Sequence, residues 1–139
     1  PRLNAALLGG KPAAAFAPAA GPQLLYVIDT FASLQPPDET TDVAQAKVRA
    51  PARGRVIVVA RGHCTVTAGS MLLVAFADTD GGGHTHEAGY EGSCESVDGA
   101  DVEAGQRLGP YASLVSYPIS PGARGTFEGT FAVYFQPGE

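Results

Sequence analysis

The final strand-like run of the chain constrains its fold most strongly. Between Thr126 and Phe135, more polar residues alternate with the set Phe127, Gly129, Phe131, Val133 and Phe135. A period of two places every second side chain on the same face of an extended strand, so this run predicts a β-strand with one apolar face. No segment of ten residues shows the 3.6-residue period of an amphipathic helix. The chain is therefore predicted to fold from strands.

Shorter runs of β-branched and aromatic residues precede it, separated by turns rich in glycine, proline and aspartate. The other predicted strands are 24–34, 47–50, 55–61, 64–67, 70–77, 93–97, 107–108 and 113–117. The most apolar of them, 55–61, is predicted to be covered on both faces. Residues 35–45 and 78–91 are predicted to be loops. Seven to nine short strands within 139 residues indicate an all-β fold, an antiparallel β-sandwich or jelly roll.

The first 23 residues differ from the rest in composition, with eight alanines, four prolines and only Arg2 and Lys11 charged. Proline fixes φ and lacks an N–H donor, so no long helix is expected, although 3–8 could form one helical turn. We expect an extended N-terminal arm at 1–23, followed by the β-sandwich domain at 24–139. Four apolar side chains gain by leaving water and are the predicted anchors on a neighbouring protein: Leu3, Leu7, Leu8 and Phe16. The alternative is a frayed tail.

Charge and composition argue against several classes of function. A net charge of −5 without a basic, aromatic-rich face is atypical of nucleic-acid binding. No run of about 18 apolar residues is present, so no membrane span is predicted. Pro1 fits removal of an initiator methionine, and no secretory signal is visible, which predicts a complete product of cytosolic origin. Cys64 and Cys94 could pair or remain two buried thiols, and their spacing does not decide.

Positive and negative residues are segregated along the chain. Residues 43–77 contain five Lys and Arg and no acidic residue, whereas 78–103 contain eight Asp and Glu and no Lys or Arg. One interpretation is that the two stretches are adjacent in the fold and neutralise each other. The other is a bipolar surface that stacks copies into an assembly.

The loop at 78–91 contains the most suggestive residues for chemistry. His84, His86 and Glu91 form an H-x-H-x4-E pattern that resembles the first motif of the cupins, a jelly-roll family. The resemblance implies these three residues as metal ligands of a cupin-like metal-dependent enzyme or a small-ligand binding module. The pattern departs from the family, because Asp78 and Asp98 stand at glycine positions and no histidine follows His86. We therefore expect a solvated polar loop, with no metal or cofactor, and keep the cupin-like reading as the alternative.

No other catalytic constellation is visible in the sequence. His63 and Cys64 are neighbours on a predicted strand, so their side chains point to opposite faces and cannot act as a nucleophile and its base. A carbohydrate-binding module would need a longer aromatic row than Tyr90, Tyr111 and Tyr117 provide. The chain is therefore predicted not to be an enzyme.

Two segments, 48–56 and 101–109, resemble the paired motifs of biotinyl and lipoyl carriers. Carriers of that kind attach their cofactor to a lysine between the motifs. The lysines of this chain are Lys11 and Lys47, and neither lies there. Cofactor attachment is therefore excluded. The pattern shared with these carriers reflects the proline and glycine residues that form turns.

A second resemblance covers more of the chain. An A-P-x-x-G-x-V strand at 50–56, an A-G-Q-x-L turn at 104–108 and the alternating strand at 126–135 are similar to small bacteriophage virion proteins. This resemblance implies a capsid decoration or cement protein whose arm reaches a neighbour. It also implies homo-oligomers, a capsid or other assembly protein as partner, and a location in the virion after assembly in the host cytoplasm.

Overall fold

The computed structural model describes residues 7–8, 11–12, 21–34, 41–79, 84–85, 92–109 and 112–138. These residues form ten strands: β1 (Leu7–Leu8), β2 (Lys11–Pro12), β3 (Gln23–Leu34), β4 (Thr41–Ala46), β5 (Gly54–Ala68), β6 (Met71–Ala77), β7 (His84–Thr85), β8 (Gly92–Val102), β9 (Ala112–Pro118) and β10 (Arg124–Pro137). Within the same residues, no helix is long and apolar enough to cross a membrane.

Two antiparallel sheets build the domain. The larger sheet has the order β3-β10-β5-β8-β7 and the smaller one β4-β9-β6, while β1 and β2 pair only with each other. The alternating run at the end of the sequence is β10, which lies between β3 and β5 in the larger sheet. The predicted all-β sandwich is therefore confirmed.

The core lies between the two sheets and is made by their inward faces. From the larger sheet, the fully buried side chains include those of Val56, Val58, Phe127 and Phe131. The smaller sheet contributes residues such as Leu114, and all of these belong to one apolar cluster. The predicted alternation of β10 is confirmed, because Val133 and Phe135 are also buried.

Hydrogen bonds join the two sheets at both sides of the core. At the β8 side, the Ser96 Oγ accepts a bond from the Ala75 backbone N–H at 2.7 Å, and the Asp98 Oδ2 accepts one from the Ala77 N–H at 2.9 Å. Both donors lie on β6, an edge strand whose N–H groups would otherwise be buried without a partner. At the β3 side, the Thr30 hydroxyl donates to the Val43 carbonyl at 3.2 Å.

Cys64 and Cys94 are joined by a disulfide bond with a Cα–Cα distance of 5.8 Å. They lie on the neighbouring strands β5 and β8, and both are buried. The sequence spacing left open whether the two cysteines pair or remain free thiols, and the structure shows that they pair. The strand register brings both residues to the inward face. His63, one residue earlier, is exposed on the opposite face, as expected.

Several predicted boundaries are wrong. Thr41–Ala46 is a strand rather than part of a loop, because at the edge of a small sheet it needs little apolar surface. Among its described side chains, only that of Ala46 is buried. The predicted strands at 47–50 and 107–108 are instead two loop segments that lie side by side in antiparallel orientation. They are held by an isolated bridge between Arg49 and Arg107 and by backbone hydrogen bonds such as Ala50 N–H to the Gln106 carbonyl at 2.8 Å.

Three further expectations need correction. The predicted strands 55–61 and 64–67 are one continuous strand, β5, and its outward residues Ile57 and Val59 are only half-buried instead of fully covered. The helical turn considered at 3–8 is wrong for Leu7–Leu8, which pairs with Lys11–Pro12. In the loop predicted at 78–91, His84–Thr85 forms a short strand beside β8.

Candidate assembly surface

The edge strand β3 exposes most of the large apolar side chains that reach the surface. Among the described residues, five large hydrophobic side chains are exposed, and four of them are Leu24 (49%), Val27 (50%), Ile28 (43%) and Phe31 (66%). The fifth, Ile119 (52%), lies between β9 and β10. Clusters of this kind mark sites of contact with other proteins, whereas single exposed residues do not.

The position of β3 explains this exposure. It pairs with β10 on one side, and no strand of the described residues pairs with its other side. The smaller sheet does not fully cover its inward face, so Ile28 stays exposed although it lies opposite the buried Phe131. Among the described residues, the edge is thus open at its backbone and on its outward face, and its inward face is only partly covered.

An apolar groove of about 450 Å³ lies over β5 and β10 on the outward face of the larger sheet. Its lining residues are Pro22, Ile57, Val59, Arg61, Thr130, Ala132 and Tyr134. The residues from β5 and β10 alternate with core residues along their strands, which places them on the outward face. Because Pro22 is one of the lining residues, the chain immediately before β3 lies at this groove.

Ion pairs flank the groove and continue along β5 and β8. Arg61 Nε lies 3.1 Å from the Glu95 Oε2, and Arg55 Nη1 lies 3.5 Å from the Asp101 Oδ1. Just outside the ends of these two strands, Arg53 Nε lies 3.7 Å from the Glu103 Oε1. All six side chains are half or more exposed, so each pair contributes only about 0–1 kcal/mol to stability. The interpretation that the basic and acidic stretches neutralise each other is confirmed for these three pairs.

The predicted arm anchors fall largely outside the described residues. Leu3 and Phe16 are not described, and of Leu7 and Leu8 only the backbone pairing is. Their role in binding a neighbour stays a prediction.

The candidate metal ligands also lie largely outside the described residues. His86 and Glu91 lie outside the described residues, and the backbone of His84 pairs with Gly99 on β8. The part of the chain that the structure describes contains no group of three or more His, Cys, Asp and Glu residues that could hold a metal ion. The absence of a cofactor and of catalysis stays a prediction, and so does the cupin-like alternative.

Sequence reasoning placed β3 correctly but did not identify it as an exposed edge. One signal for this was available: the run from Leu24 to Ile28 is apolar at every position, without the alternation seen in β10. A continuous apolar run fits a buried central strand as well as an edge that a partner covers, so pattern alone does not separate the two.

No protein-family model matches the chain, and no curated protein matches it. Among solved structures, it is similar to a chain in the structure of infectious bursal disease virus Gt strain, with a TM-score of 0.30 and 15% sequence identity. The similarity covers 84% of this chain and 42% of that chain. This chain therefore spans less than half the length of its weak structural neighbour, which comes from a virus.

Proposed function

We propose that the chain is a structural protein of a virion, a decoration or cement protein that binds the capsid. Its N-terminal arm and the outward face of the larger sheet would make the contacts. The observation that carries this proposal is the apolar groove at the point where the arm enters the domain, with Pro22 in its lining.

The groove and the arm favour a protein partner of extended shape. The groove is open and shallow, and the half-buried side chains of Ile57, Val59 and Tyr134 give it apolar walls. An arm of about 20 residues laid on a neighbour would bury on the order of 1,000 Å², the scale of a specific interface. Ordering such an arm costs conformational entropy. The contacts made by many symmetric copies on one shell can together offset this cost.

Two further features support the proposal. The motifs at 50–56, 104–108 and 126–135 resemble those of small bacteriophage virion proteins. The Cys64–Cys94 disulfide is of a kind that persists in oxidising surroundings, which a particle released from a cell encounters.

The first experiment asks whether the chain is part of a particle. Virus particles are collected from a culture whose cells or viruses carry the gene for the chain. The particles are purified on a density gradient, and their proteins are identified by mass spectrometry. We expect the chain in the particle fraction at a fixed ratio to the major capsid protein. A chain that stays at the top of the gradient would refute the virion role.

The second experiment tests the arm. Recombinant chain is added to particles that lack it, and the bound fraction is measured after co-sedimentation. Serine substitution of the four anchors Leu3, Leu7, Leu8 and Phe16 is expected to weaken binding at least tenfold. The matched control replaces four small residues of the same arm, Ala13, Ala14, Ala15 and Ala17, by serine and should bind normally. Equal binding by both variants would contradict the arm's role.

A further inference from the structure

The free side of β3 fits a second copy of this chain. We propose that two copies pair β3 with β3 in antiparallel orientation, so that their five-stranded sheets join into one continuous sheet. This pairing is a property of the isolated chain and does not depend on the virion role.

The first argument is that β3 lacks the usual protection of an edge strand. Edge strands in monomeric proteins are typically short, or carry lysine, proline or several charges that block further pairing. β3 spans Gln23–Leu34, contains no proline or lysine, and has Asp29 as its single charged residue. Asp29 is held on the outward face by a hydrogen bond from the Thr130 hydroxyl at 3.2 Å.

The second argument identifies the occupant as another β3 rather than an arm. Each proline in a pairing strand removes an N–H donor from the ladder. Within the arm, Leu7–Leu8 already pairs with Lys11–Pro12. Outside that pair, its longest proline-free stretches are 2–6 and 13–17, five residues each. β3 offers 12 consecutive residues without proline and matches another β3 in length.

The third argument sets the register. Opposed residues in an antiparallel pair share a face, and two such registers overlap nearly the full length of the strand. One places Ile28 opposite Ile28 of the second copy, and the other places Asp29 opposite Asp29. Like charges directly opposite each other are destabilising. The first register sets each Asp29 against Val27 instead, and we assign that one.

The size of the contact predicts a reversible dimer. The four exposed apolar side chains of β3 leave on the order of 400 Å² in water on each copy, a large patch for a monomer. Edge-to-edge pairing would cover the flanks of these side chains and the strand backbones, so the buried area does not exceed the ~1,000 Å² lower limit of specific interfaces. We therefore expect a dissociation constant in the micromolar range.

The test is sedimentation velocity of the full chain from about 1 to 200 µM, which brackets a micromolar dissociation constant. The mass should rise from 14.2 kDa towards twice that value. Val27→Asp should weaken dimerisation at least tenfold, because the assigned register sets the new carboxylate against Asp29 of the second copy. Ile119→Asp is the matched control, because Ile119 is 52% exposed against 50% for Val27 and lies outside β3, and it should dimerise like the unmodified chain. A full chain that stays monomeric, or a Val27→Asp variant that dimerises normally, would overturn the proposal.

Disulfide trapping tests the register. The two native cysteines are bonded to each other, so a cysteine introduced into β3 supplies the free thiol. Mild oxidation of Ile28→Cys should give a covalent dimer, whereas Asp29→Cys should not, because its Cα atoms would exceed the ~7 Å reach of a disulfide. Trapping of Asp29→Cys without Ile28→Cys would overturn the register. A dimer that neither variant traps would place the contact on another surface.

Discussion

Two buried serines of the sandwich differ in what their hydroxyl groups do. Ser96 and Ser116 are each 1% exposed. The Ser96 Oγ accepts the Ala75 N–H, whereas the Ser116 Oγ has no hydrogen-bond partner among the described residues. Removing an acceptor from a buried donor costs about 1–3 kcal/mol, while removing an unpaired hydroxyl costs little.

We therefore predict that Ser96→Ala lowers the free energy of unfolding by about 1–3 kcal/mol and that Ser116→Ala changes it by less than about 0.5 kcal/mol. Urea denaturation of both variants beside the unmodified chain is the measurement. Equal losses in the two variants would mean that the bond to β6 contributes nothing specific, and that only the volume of the removed atom matters.

Between the strands β5 and β10, two glycines mark a close approach of the backbones. Gly62 and Gly129 are opposite each other. A Cβ atom added at Gly129 would overlap the carbonyl oxygen of Arg61, and one added at Gly62 would overlap that of Glu128. These are rigid backbone atoms, so either strand would have to move in the middle of the larger sheet.

Gly129→Ala is accordingly predicted to cost about 1–3 kcal/mol of stability, the range of overpacked cores. Gly21→Ala is the control, since a Cβ there meets no atom within 4 Å. Thermal unfolding followed by circular dichroism measures both. A Gly129→Ala variant as stable as the control would mean that the two strands separate at little cost.

The disulfide also acts at the level of elements, because it joins β5 to β8 across a separation of 30 residues. In the chain-entropy account, closing a loop of that length stabilises the folded state by about 3–4 kcal/mol. The double variant Cys64→Ala, Cys94→Ala should lose about that much in guanidinium denaturation. The unmodified chain should show no reactive thiol before reduction and a similar loss after it. Two free thiols in the native protein would contradict the pairing.

The elements also show what the sequence could and could not predict. β10 follows from its pattern, because a central strand with one core face must alternate. β4 was missed because Thr41–Ala46 buries so little that its polar residues look like a loop. A local pattern does not determine edge position, since that position depends on the order of strands in the sheet. β3 was therefore predicted as a strand, but the exposure of its apolar side chains was not predicted.

At the scale of the whole molecule, the prediction is a domain with its own core and an arm before it. Every member of the main core cluster lies at Leu25 or later, so the domain proposed at 24–139 should fold without the preceding segment. Removal of 1–22 is predicted to leave the free energy of unfolding within about 1 kcal/mol of the full chain, because no described core contact is lost.

The same truncation separates the two proposed interfaces. It keeps all of β3, so dimerisation should persist, but it removes the arm, so binding to particles should fall at least tenfold. Denaturation, sedimentation velocity and co-sedimentation on one preparation measure the three quantities together. A truncated chain that unfolds would make the arm part of the core. One that folds but no longer dimerises would assign the self-contact to the arm, and one that still binds particles would move shell recognition to the sandwich.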